Sequence, residues 1–353
     1  MTFTPCFYAG KRVLVTGHTG FKGSWLCRTL CNLGAEVTGF ALEPPTEPSL
    51  FALANLEQDM HSVLGDIRDF RALQEVFAQA QPEIVFHLAA QPIVRESYRN
   101  PVFTYETNVM GTVNLLECAR QTPSVKSVLN VTTDKVYRNR EWVWGYREGE
   151  ELDGFDPYSN SKSCAELVTA TYRRCFFQGD TTAISTARAG NVIGGGDFAK
   201  DRILPDCVRA ACAGKEIVIR NPHSVRPYQH VLEPVYGYLM IAAGQYENPT
   251  LAGAYNLGPG EEDCFQTGDL VALFAKYWGD VAVCVRQDNG PQEANFLKLD
   301  CARLKQAFGW KPRWNLNRAV EETVRWTRCW QRGEDVRDCM DSQIAAFLQE
   351  KAL

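Results

Sequence analysis

A doubly wound parallel α/β sheet followed by a smaller lobe is the fold class predicted, and three features of the chain predict it. Short β-branched runs alternate with helical stretches through the first half. The runs are apolar almost throughout (Val13-Leu14-Val15, Ile84-Val85-Phe86, Val128-Leu129), as strands covered by helices on both faces must be. Beyond about Gly190 the texture changes to loop-rich sequence, with Gly194-Gly195-Gly196 and a Tyr255-Asn256-Leu257-Gly258-Pro259-Gly260 segment.

Taken in order, strands are predicted over 12–16, 36–42, 83–88, 127–132 and 182–187, with a further strand region ahead of Gly65. Helices are predicted over 24–33, 70–79 and 107–122. The domain division expected is 1–190 for the sheet and 191–353 for the lobe, with segments around 225–255 returning to the sheet domain. The net charge of −5 excludes a general nucleic-acid or anionic-membrane binder, because there is no basic excess to neutralise phosphates. The thirteen cysteines show neither a CxxC pair nor zinc-ligand spacing, so reduced thiols, no metal and a cytoplasmic location are expected. No signal peptide and no membrane-spanning run are read in the sequence.

Between the first strand and first helix stands Gly17-His18-Thr19-Gly20-Phe21-Lys22-Gly23. Glycines there let the backbone turn sharply and approach a pyrophosphate, whose charge the helix N-terminus meets. This GxxGxxG spacing resembles the extended short-chain dehydrogenase/reductase family, which implies a Rossmann-type domain and a nicotinamide dinucleotide. The loop residues Gly17, Thr19, Gly20, Phe21, Lys22 and Gly23 are then candidate cofactor ligands. The resemblance adds Asp66 and Ile67 at the adenine, although Asp66 could instead cap the helix that follows. Leu88, Ala89 and Ala90 end a strand with residues small enough for the backbone to pass near the cofactor, and Asn108 is a further candidate. No lysine or arginine lies between Arg28 and Arg68, and Glu43 is the acid available near the second strand's end. A 2′-phosphate would need a cation there, so NAD is favoured over NADP, with Lys22 as the reservation.

The strongest chemical signal is Tyr158-Ser159-Asn160-Ser161-Lys162, preceded by an Asp156-Pro157 helix start. Tyr158 and Lys162 stand one turn apart on one face. A nearby ammonium and a positive nicotinamide ring would stabilise phenolate and lower the phenol's pKa. Thr133, at the end of the fifth strand, is placed to hydrogen-bond the substrate oxygen, with Thr132 read as strand filler. Asp134 and Lys135 beside it suit a second acid/base task that a simple epimerase or reductase does not need.

The blocks TTDK (132–135), Arg140–Glu148, DPYSNSK (156–162), Arg188–Asp206 and Arg220–Pro234 together resemble the CDP-glucose 4,6-dehydratases over nearly the whole chain. That resemblance implies an internal redox dehydration. Tyr158 takes the C4 hydroxyl proton as C4 hydride passes to NAD, the C5 proton becomes acidic, water leaves C6 with Asp134 as acid, and the hydride returns to C6. Related dTDP-glucose dehydratases carry an acid where this chain has Lys135, so the C5 base is open. Asn191, Arg202, Arg220, Arg226 and His230 are the expected nucleotide-sugar contacts, Arg226 as a diphosphate clamp and His230 equally a structural histidine. Trp142, Trp144 and Tyr146 either close over the substrate or anchor their own loop. The resemblance further implies a homodimer or homotetramer and deoxysugar synthesis for a lipopolysaccharide O-antigen. A nucleotide-sugar 4-epimerase or 4-reductase of the same family, and a non-catalytic nucleotide sensor, remain the alternatives.

Overall fold

The apolar runs become strands with ends shifted by a residue or two, as boundary readings usually are. They are β1 (Arg12–Thr16), β2 (Glu36–Ala41), β3 (His61–Leu64), β4 (Ile84–His87), β5 (Ser127–Val131), β6 (Ala183–Ala189) and β7 (Ala254–Leu257). This computed structural model describes residues 4–177, 182–260, 263–279, 281–286 and 296–350. All seven strands pair in parallel, in the order β7-β6-β5-β4-β1-β2-β3. The winding direction reverses between β1 and β4, which opens a crevice at their carboxyl ends. Thr16 and His87 stand opposite each other there.

Two strands were hard to place from sequence. Strand β3 lies at the sheet edge, where no neighbour covers its outer side, so His61 and Ser62 interrupt the apolar signal. Strand β7 lies among the loop-rich segments and joins the sheet beside β6.

Helices cover both faces. They are α1 (Phe21–Asn32), α2 (Phe70–Ala80), α3 (Gly111–Gln121), α4 (Pro157–Cys175), α5 (Ile203–Cys212), α6 (Leu232–Glu247), α7 (Thr267–Trp278), α8 (Leu316–Gln331) and α9 (Val336–Gln349). Successive strand residues face opposite ways. Val13 and Val15 therefore pack with Trp25 and Leu26 of α1 and Leu239 of α6, while Leu14 packs with Phe77 of α2 and Leu115 of α3. A third apolar cluster unites Leu204, Leu270, Phe274 and Val320 from α5, α7 and α8.

Helix α1 begins three residues before the predicted start, so the glycine loop supplies its first turn. The segment predicted as one helix over 107–122 opens with a π-helical turn, Glu106–Met110, before α3. Such turns place side chains that a regular helix would direct elsewhere.

Gly195 is held between two tryptophans: its carbonyl accepts from Trp25 Nε1 at 3.0 Å, and a Cβ on it would lie 2.1 Å from Trp326 Cγ. Gly195→Ala should therefore destabilise by at least the ~1–3 kcal/mol typical of overpacking, read from the urea midpoint.

Candidate active site

The glycine loop is shaped by two contacts that exclude side chains. Gly17 has φ +77°, and a Cβ there would meet Ala89 N at 2.7 Å. A Cβ on Gly23 would lie 2.1 Å from Gly17 O. At Gly20 the nearest atom would be Gly17 O at 3.4 Å, so its outer side is open. Helices α2, α4, α8 and α9 are capped by Asp69, Asp156, Asn315 and Asp335, whereas no side chain caps α1. Among the described residues no side-chain cap satisfies the first N–H groups of α1, which stand at the positive end of the helix. Leu88, Ala89 and Ala90 lie partly exposed beside the loop. An uncapped helix start over a backbone floor is the donor set a dinucleotide diphosphate needs.

Several expected cofactor contacts are otherwise engaged. Thr19 donates its hydroxyl to Leu42 O at 2.9 Å, holding the loop to the β2 tail. Phe21 leans towards Gly194, on which a Cβ would meet its ring at 3.2 Å. Asp66 does not cap α2, because Asp69 does; it pairs with Arg68 at 2.6 Å, and that hydrogen bond holds its carboxyl below the usual range. Ile67 is a core residue against Gly111. The Asn108 amide joins Gln91 to Ser161 (2.8, 3.1 and 2.9 Å). The Lys22 ammonium lies within electrostatic reach of Asp134, Asp197, Arg202 and Lys162. Arg28 is tied to Asp59 and Asp341, away from the β2 tail.

The catalytic end joins the β5 tail to the first turns of α4. Asp156 accepts from Ser159 N at 2.9 Å and Pro157 follows, which sets where Tyr158 emerges. Lys162 is 4% exposed and donates to Val131 O at 3.2 Å. Burial, reinforced by the charge of Lys22, lowers its pKa to about 7 against the pull of Glu166. Tyr158 is pushed up to about 12 by burial; Thr133 and Arg202 pull the other way and do not win. Desolvation of the anion costs more than Thr133 and Arg202 return. Asp134 is 2% exposed, accepts from Thr133 Oγ1 at 3.0 Å, and leaves Oδ2 with no partner among the described residues. Burial raises its pKa in spite of Lys135, Thr133, Arg226 and Lys22. The shift favours the protonated form of the carboxyl. Lys135 is half-buried next to it.

Beneath these groups lies a buried ion pair that the sequence reading missed. Glu166 accepts from Arg188 Nη2 at 2.8 Å, Thr186 Oγ1 at 2.7 Å and Thr132. Burial pushes its carboxyl up, but Arg188 and these donors together hold it below the usual range. Thr132 is therefore more than filler. A glutamate one turn after Lys162 on the same face was the available signal.

At the sugar end, Arg226 is buried, with its charge felt by Asp134, and Arg202 pairs with Asp197 at 3.0 Å within reach of Tyr158. Arg220, 47% exposed, pairs with Asp201 at the rim. Asn191 is partly buried and its carbonyl accepts from Gln229 N. His230 is a correction: fully buried, it packs on Trp25 and Trp314 and accepts from Leu232 N, with burial and then Arg318 lowering its pKa to about 3. Its ring belongs to the core. Tyr146 stacks on Tyr137 and hydrogen-bonds Asn139 and Arg140, anchoring its loop; Trp142 rests on it, and Trp144 is 68% exposed.

Lys162 binds its proton less tightly folded than unfolded. Between about pH 7 and its ordinary value of 10.5 the unfolded chain holds more protons, so this group's penalty is full below pH 7 and fades as pH rises. Lys162→Met should accordingly be more stable than the parent at pH 7, with the advantage shrinking towards pH 10 in urea melts of the dinucleotide-free protein.

The GDP-mannose 4,6 dehydratase family model matches residues 14–323. CDP-glucose 4,6-dehydratase of Salmonella typhimurium is 49% identical over 349 residues, covering 97% of each chain. A probable dTDP-glucose 4,6-dehydratase of Sinorhizobium fredii is 28% identical over 89% of this chain and 92% of its own. Among solved structures, UDP-glucose 4-epimerase of Stenotrophomonas maltophila superposes with a TM-score of 0.80 at 21% identity, covering 91% and 99% of the two chains. A dTDP-glucose 4,6-dehydratase double mutant from Streptomyces venezuelae gives 0.78 at 23% identity over 91% and 98%. At these identities the structural likeness is one of fold. The sequence matches go further, and with a glycine loop, a Tyr-Lys helix and an added buried acid in one crevice, the chain belongs to the GDP-mannose 4,6 dehydratase family.

Proposed function

We propose that the protein is a nucleotide-sugar 4,6-dehydratase that uses NAD and converts CDP-D-glucose to CDP-4-dehydro-6-deoxy-D-glucose and water. The observation that carries this reading is the buried carboxyl of Asp134, its pKa raised by burial, beside Thr133 and Tyr158. Oxidation at C4 needs only a hydroxyl, a phenol and an ammonium; expelling water from C6 needs an acid as well. CDP-glucose as substrate is supported by the relative that is 49% identical across the chain.

The uncapped α1 start and the open side of Gly20 fit the cofactor's diphosphate, and Lys162 fits its ribose. When bound, NAD supplies the hydride acceptor at C4 and donor at C6, ending each turnover as it began. Tyr158 accepts the C4 hydroxyl proton, and Thr133 orients that oxygen. The ammonium of Lys162 offsets the charge that forms on the phenol. Asp134 gives its proton to the departing C6 hydroxyl. Lys135 follows it, where it orients a water towards the C5 proton or stabilises the enolate that loss of that proton leaves.

The proposal includes the division into a Rossmann domain over 1–190 and a substrate lobe over 191–353, a cytoplasmic location, a homo-oligomer, and a place in O-antigen deoxysugar synthesis. Thirteen free thiols support the location. The described residues contain no helix long and apolar enough to cross a membrane.

Incubation of CDP-glucose with the protein and NAD should produce a new C6 methyl doublet in proton NMR without net reduction of NAD. A galactose-type spectrum would instead identify an epimerase. A CDP, dTDP, UDP and GDP glucose panel tests the base. Tyr158→Phe should lower turnover by about 100-fold or more, the usual scale for a lost acid–base group. Asp134→Asn should still reduce bound NAD in a single turnover while forming the methyl product at least about 100-fold more slowly; equal loss of both steps would remove its assignment.

A further inference from the structure

The proton transfers proposed above leave one histidine of the crevice unused. His87 ends β4 directly opposite Thr16, is 1% exposed, and lies with Nδ1 2.7 Å from Thr16 Oγ1 and Nε2 3.2 Å from Thr112 Oγ1. Counting protons along its neighbours settles the tautomer. The Thr112 hydroxyl donates to Asn108 O at 2.7 Å, so towards His87 it can only accept, and Nε2 must carry the ring proton. Nδ1 is then a bare acceptor that takes the Thr16 hydroxyl proton, which leaves Thr16 Oγ1 to accept from Ala89 N at 3.3 Å.

A second run of bonds starts on the same residue. Asn108 Nδ2 donates to Ser161 Oγ at 2.9 Å, and Ser161 donates to the backbone carbonyl of Tyr158 at 2.7 Å. One run thus leads from the Ala89 N–H through Thr16, His87 and Thr112 to the Asn108 backbone carbonyl, the other from the Asn108 side-chain amide to the Tyr158 carbonyl, and the two meet on Asn108 in the π-helical turn. Aligned bonds of this kind polarise one another and fix geometry more firmly than the same bonds taken singly.

We infer that His87, held as the neutral Nε2–H tautomer, is a positioning residue that couples the β4 floor of the dinucleotide crevice to the turn carrying Tyr158. The environment maintains that state. Burial first, and then the charge of Lys162, lower the pKa of the ring to about 3. A protonated ring would donate from both nitrogens, so the Thr16 hydroxyl could no longer donate to Nδ1 and would have to turn its proton elsewhere. The inference rests on Tyr158 being the base of the reaction proposed above.

Two measurements on the holoenzyme test it. With ring-15N histidine, and the His87 signals assigned by their loss in His87→Gln, His87 should show a protonated Nε2, an unprotonated Nδ1 and no titration between pH 5.5 and 8.5. An Nδ1–H tautomer, or a midpoint near the ordinary value of about 6.5, would overturn the assignment. Thr112→Val removes one link while keeping its shape. It should lower kcat about 10-fold with KM for CDP-glucose unchanged within about 2-fold, and Thr112→Ser should restore kcat. An unchanged kcat in a folded Thr112→Val enzyme would overturn the coupling; if that variant does not fold, the NMR result decides. Failure of the parent enzyme to make any methyl product would be a failure of the dehydratase reading, and the tautomer measurement would stand apart from it.

Discussion

The backbone of the glycine loop lies directly against the Leu88–Ala89 peptide, and a single methyl group at Gly17 would prevent it. That close approach is available only where neighbouring parallel strands wind in opposite directions, here between β1 and β4. With the loop seated, α1 projects its uncapped start over the crevice, and Lys22 in its first turn reaches the catalytic groups. Gly23 completes the arrangement, since any side chain there would drive the helix off the loop. The cofactor end and the acid–base end are thus joined by one packing constraint.

Charge in the crevice is arranged against local stability. Lys22 and Lys162 are both desolvated and both near cations, while Asp134 is buried with an oxygen unpartnered. Sites that hold groups in such states carry a cost that the surrounding fold must offset. Part of the offset lies below, where Glu166 and Arg188 form a buried pair in which the carboxylate also accepts from Thr132 and Thr186. Removing one member of such a pair is far more damaging than its net contribution suggests, because the other is left charged and buried. The pair also supplies the negative field that keeps the pKa of Lys162 from falling further.

Family membership and the crevice explain different things. The chain match extends across both sheet and lobe. An epimerase of the same architecture superposes as well as a dehydratase does, so the fold by itself does not set the reaction type.

Local chemistry is what the sequence by itself determined: strand placement from apolar runs, the turn from Gly17, Gly20 and Gly23, the helix start from Asp156-Pro157, and the one-turn spacing of Tyr158 and Lys162. Each follows from residue type and a fixed period, so neighbours along the chain suffice. What lay beyond it depended on which distant residues meet. No spacing reveals that Trp25 and Trp314 pack on His230, that Gln91 and Ser161 share the Asn108 amide, or that Lys22 comes near Asp134 and Lys162. The direction of the Tyr158 shift likewise needed burial, which no spacing reveals. Desolvation and long-range pairing are properties of packed volume, and only the tertiary structure decides them.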